Sequence, residues 1–74
     1  MMLNIEQALS RATLELAQCD NPRHEAEYLL AFVLGKERSY FRAFAETYLS
    51  DEEEVRFNHL LQRRSAGEPL AYIV

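Results

Sequence analysis

The chain has 74 residues and a formal net charge of −4, the length of one domain. The acidic balance argues against direct nucleic-acid binding, which rests on excess Lys and Arg, and no apolar run is long enough to span a membrane. Cys19 is the single cysteine, so no internal disulfide is available, and His24 and His59 stand alone, which leaves no structural metal cluster. Stability must therefore come from apolar packing and should be modest, on the order of 5 kcal/mol. The start, Met1 to Glu6, lacks the pattern of a signal peptide. Together with one free thiol this predicts a cytoplasmic setting.

Two glycines and two prolines punctuate the chain. Asn4 followed by Gln7 three residues on is a helix start. Ile5, Ala8, Leu9, Ala12 and Leu16 then recur at helical spacing and predict a helix over about 5–18. Leu14 lies off that stripe. Asn21 before Pro22 reads as a cap followed by proline at the first helical position. Ala26, Leu29, Leu30, Val33 and Leu34 make the strongest stripe, and Gly35 ends that helix, over about 22–34.

Ser39 reads as the cap of a shorter helix over about 40–46, with Tyr40, Phe41 and Phe44 as an aromatic plug for the core. Ser50 to Glu53 is a capping box that opens a helix over about 51–66. Its first turn is acidic and its last carries Arg63 and Arg64, so both ends complement the helix dipole. Phe57, Leu60 and Leu61 form its inward face and Gly67 stops it. After Pro69, Leu70 and Ile73 predict a short helical turn over about 69–73, with a strand from Tyr72 as the competitor. The expected fold is all-α, a small bundle of four to five short helices in one domain, 1–74.

Three stretches resemble one family. "NPRHEAEYLL", through Pro22, Arg23, Ala26, Glu27, Leu29 and Leu30, is similar to a Pro-Arg-x-Asp-Ala-Glu-x-Leu-Leu segment of the HemK/PrmC-type release-factor glutamine methyltransferases. "FRAFAETYLSDEE" resembles a second stretch of the same domain, and "RRSAGEPLAYIV" resembles the junction that leads to its catalytic part. The string "GEPLAYI" is fairly specific, whereas the helical spacings are not. Glu25 stands where the family pattern has Asp, and Val74 where many members have Leu or Thr.

The resemblance implies an enzyme that transfers a methyl group from S-adenosylmethionine to the glutamine of the Gly-Gly-Gln motif in class I peptide release factors. It also implies a separate C-terminal methyltransferase domain in cis, with a glycine-rich loop and an Asn-Pro-Pro-Tyr motif. Neither motif occurs in this chain: Asn21-Pro22 is followed by Arg23 and His24. The expectation is a non-catalytic domain that binds no S-adenosylmethionine itself and helps recognise the release factor. A free-standing helical interaction adaptor is the alternative.

Candidate partner-binding residues are Arg42, Tyr48, Arg63 and Arg64. Tyrosine and arginine are typical interface anchors. For Arg63 and Arg64 the competing reading is dipole compensation with a salt bridge, and for the aromatics between Tyr40 and Tyr48 it is the core. Glu27 is expected to pair with Arg23 or Arg64 and join two helices. The acidic run from Asp51 reads as a solvated helix start, and Tyr72 as packed on this domain or on the catalytic one.

Overall fold

Asn4 opens the first helix as its sequence predicts. Its side chain accepts from the Gln7 amide at 2.8 Å, and the Gln7 side chain accepts from the Asn4 amide at 3.0 Å, which satisfies two otherwise orphaned donors. The structure is a computed structural model that describes residues 2–73. Five helices follow in order: α1 Ile5–Glu15, α2 Pro22–Leu34, α3 Ser39–Ala43, α4 Asp51–Ser65 and α5 Leu70–Ile73. The described residues form no strand; Asn4 and Tyr48 make a single antiparallel bridge.

The core lies where α1 packs on α2, and α2 on α4. It holds Ile5, Leu9, Leu16, Leu29, Leu30, Leu49 and Phe57, each 2 % exposed or less. Among the described residues, every buried one is apolar. This is the dry interior that the stripes on α1, α2 and α4 require of one another, since helices this short are not stable alone in water. Leu14, off the stripe, is 78 % exposed.

Several boundaries differ from the sequence expectation. α1 stops at Glu15 rather than near Gln18, because the backbone tightens after Leu16. The Ala17 amide donates to Leu14 and the Cys19 amide to Leu16, at 3.3 and 2.9 Å. This turn lets Leu16 stay buried while the chain reverses into α2. Asn21 precedes α2 without the side-chain cap bond expected of it; its backbone carbonyl alone accepts, from the Glu25 amide at 3.0 Å.

α3 is also shorter than expected, and Ser39 lies inside it rather than capping it. Arg38 precedes it in helical conformation with no side-chain cap. Phe44 leaves the helix at φ −124°, and the residues beyond take up a different task. The carbonyls of Thr47 and Ala45 accept from the amides of Ile5 and Glu6, each at 3.0 Å. The aromatic plug is corrected as well: Phe41 alone of the group is buried, Tyr40 is half-buried, and Phe44 and Tyr48 are exposed. Leu49, from the segment after α3, fills part of the interior instead.

α4 begins with the predicted box. Ser50 Oγ accepts from the Glu53 amide, and the Glu53 carboxylate accepts from the Ser50 amide at 2.8 Å. It ends at Gly67, whose φ of +101° is a conformation that a side chain disfavours. The last segment is helical, not extended, and Ile73 is buried against the bundle. Tyr72 is 75 % exposed and does not pack on this domain. The expectation for Val74 lies outside the described residues.

Candidate interaction surface

Charged side chains tie the outside of the bundle in two places. The first is a ladder across α1, α2 and the start of α3. Arg23, on the first turn of α2, reaches Glu6 of α1 at 3.2 Å and Glu27, one turn on, at 3.1 Å. Glu27 also receives Arg38 at 2.7 Å. Glu27 therefore pairs with Arg23, as one of the two sequence expectations has it, and with Arg38 rather than Arg64. Burial pushes the Glu27 carboxyl upward, but the hydrogen bonds from Arg38 and Arg23 outweigh it and hold the group below the usual carboxylate range. The hydrogen bond from Arg23 likewise lowers Glu6.

The second tie sits at the end of α4. Arg64 Nε donates to Glu25 of α2 at 2.6 Å. Glu25, the departure from the family pattern, is thus a link between α2 and α4. Arg63 donates in a fork to Glu68, which lowers the Glu68 carboxyl. Of the four candidate residues, Arg63 and Arg64 therefore lie in pairs within the chain.

Arg42 and Tyr48 lie elsewhere. Arg42, exposed on α3, has no carboxylate partner among the described residues. It faces a cleft of about 700 Å³ whose wall includes Glu6, Arg23, Glu27, Arg38 and Phe41. Tyr48, 59 % exposed, lines a different and smaller concavity with Tyr40 and Lys36. The structure thus puts the two candidates around one corner of the bundle without joining them in one cleft.

Between them lies a surface that residue-type reasoning missed. Tyr40 and Phe44 stack with ring centroids 4.4 Å apart, and the Lys36 ammonium sits 5.3 Å from the Tyr40 ring. A second apolar surface, about 260 Å³, opens between α2 and α4 beside Phe32, Val55, Arg56 and His59. One sequence signal pointed to it: Tyr28 and Phe32 sit one turn apart on α2, off the inward stripe, and both are exposed.

Cys19 is half-buried, and burial followed by the charge of Glu25 pushes its thiol up, which keeps it protonated and a poor nucleophile. Among the described residues no three His, Cys, Asp or Glu side chains gather to hold a metal. Gly35 and Gly67 each follow the end of a helix at positive φ, and among the described residues no polar side chain is buried. No helix of the described residues is long and apolar enough to cross a membrane.

The release factor glutamine methyltransferase of Aliivibrio fischeri is 50 % identical over a 76-position alignment that covers all of this chain and 27 % of that protein. Its counterpart in Salmonella typhimurium is 44 % identical over 71 residues, 96 % of this chain and 26 % of the relative. That of Escherichia coli K12 is 42 % identical over 65 residues, 88 % of this chain and 24 % of the relative. The chain thus spans about a quarter of the length of the curated relatives it matches. No solved structure matches it. The model of the PrmC N-terminal domain matches residues 7–74, and with nearly the whole chain covered, this protein belongs to the PrmC N-terminal domain family.

Proposed function

We propose that this chain is the substrate-docking domain of an S-adenosylmethionine-dependent methyltransferase acting in translation termination. The parent enzyme methylates the glutamine of the Gly-Gly-Gln motif in class I release factors, in the cytoplasm, and its C-terminal methyltransferase domain supplies the cofactor site and the chemistry. The helical domain supplies contact area away from the reacting atoms. Remote binding energy of that kind orients a large protein substrate and brings the amide nitrogen into line with the methyl donor. The covalent link keeps the docking surface at high effective concentration, so a weak contact suffices.

One observation carries this reading. Of the chain's eight aromatics, four Tyr and four Phe, Tyr28, Phe32, Phe44, Tyr48 and Tyr72 lie 44–75 % exposed. Phe41 and Phe57 join the aliphatic side chains inside, these five aromatics stay on the outside, and Arg42, exposed on α3, has no carboxylate partner among the described residues. Tyr and Arg dominate the energetics of protein interfaces.

The test compares the whole enzyme with a version lacking residues 1–74, on two substrates: intact release factor and a short Gly-Gly-Gln loop peptide. Deletion should raise KM for the intact factor by about 10-fold or more and leave the peptide KM unchanged. Arg42→Glu with Tyr48→Ala should reproduce part of that rise. Equal KM values for intact factor with and without the domain would overturn the docking role.

A further inference from the structure

We propose that Arg63 is a positioning residue that fixes the direction in which the chain leaves α4, an inference that rests on the docking reading above. Ile73 anchors α5 on the bundle, and the Arg63 guanidinium adds a polar tie across the turn that precedes it. Four residues, Ala66 to Pro69, separate α4 from α5. One of them is Gly67, at φ +101°. α5 itself has only four residues, too few to hold its own geometry.

The fork crosses this joint. Arg63 Nε donates to Glu68 Oε2 at 2.9 Å, and Nη2 donates to the other carboxylate oxygen. Nη2 also donates, at 3.3 Å, to the carbonyl of Tyr72, nine residues further along. Arg64 completes the brace: Nη1 donates to the Glu68 carbonyl at 3.4 Å while Nε holds Glu25 on α2. A cap for α4 would need only the last carbonyls of α4. This guanidinium instead reaches past the turn to a backbone carbonyl of α5, and so couples the direction of α5 to the axis of α4.

Arg63 and Glu68 are about one-third exposed, 34 % and 36 %, so the pair adds little to folding stability. What it restricts is the orientation of α5 about the Gly67 turn. The guanidinium supplies two parallel donors and a third contact, which an ammonium cannot reproduce. In an enzyme whose catalytic domain follows, the same restriction sets the angle between the docking surface and the reacting glutamine.

Three substitutions test this: Arg63→Gln, Arg63→Lys and Glu68→Gln. In the 74-residue chain, all three should speed amide exchange at Tyr72, whose amide donates to the Pro69 carbonyl, by at least about 3-fold, and leave Leu60 and Leu61 unchanged. In the whole enzyme, all three should raise KM for intact release factor by about 3–10-fold without changing turnover of the Gly-Gly-Gln peptide. Full rescue by Arg63→Lys would reduce Arg63 to a charge at a helix end and overturn the inference. A neutral Glu68→Gln beside a damaging Arg63→Gln would make Arg63 a direct substrate contact, also overturning it. Unchanged Tyr72 exchange would overturn it at the structural level. If deleting residues 1–74 raises KM for intact factor but none of the three substitutions does, the inference fails alone. If deletion raises nothing, the docking reading fails and takes it along.

Discussion

The α1–α2–α4 interior and the corner around α3 are built on opposite terms. The interior is apolar and mostly aliphatic: among the described residues no polar side chain is buried, and Leu29 and Leu30 have no exposed surface. The corner is short-helical, aromatic and charged, with a stacked pair at its surface and an ion-pair ladder along its flank. Periodic stripes made the first region unavoidable. The second exists because α1 needs acceptors for its first amides, and the carbonyls of Ala45 and Thr47 supply them. The lesson is that apolar residues serve different ends in the two places: they hold the fold in one and face outward in the other.

The largest effect should come from the interior. Leu30→Ala removes a side chain with 0 % exposure and should cost about 2–5 kcal/mol in urea denaturation, a large share of a total on the order of 5 kcal/mol. A variant that unfolds at the parent's midpoint would erase the distinction between the two regions.

Acid should act next, and on the charged flank. Glu6, Glu27 and Glu68 all have carboxyls lowered in the folded state. Their contribution is present above the unfolded-state pKa, about 4.3, and is lost as pH falls through the lower folded values. In that window the unfolded chain binds more protons, so acidification favours unfolding. The melting temperature should hold from neutral pH to about 5 and drop below about 4. Glu27→Gln, placed between two arginines, should flatten the drop; an unaltered acid profile in that variant would remove Glu27 from the account.

The smallest effect belongs to the exposed aromatics. Tyr48→Ala should change stability by no more than about 0.5 kcal/mol, since the ring is 59 % exposed. A calorimetric loss several times larger would make Tyr48 a structural residue and return the corner to the core.

Much of the fold was legible in the residues themselves. Stripes at helical spacing named the inward faces of α1, α2 and α4, and the two capping boxes and two helix-ending glycines follow from local chemistry that neighbours three or four residues apart decide. The surface was less legible. Arg63 and Arg64 were visible as basic residues at a helix end, but not that one grips Glu68 and Tyr72 while the other reaches Glu25, a residue 39 positions away. Phe44 and Tyr48 read as core beside Phe41, because type alone does not reveal which way a side chain faces.

By itself, then, the sequence determined the helices, their order and their oily stripes, since these rest on periodicity and on contacts within a turn. Tertiary structure alone decided where α3 ends, which carboxylate each arginine takes and which aromatics stay outside. Those outcomes depend on how much interior volume the aliphatic side chains fill and on which distant carbonyls must receive an amide, quantities fixed only once the helices have met.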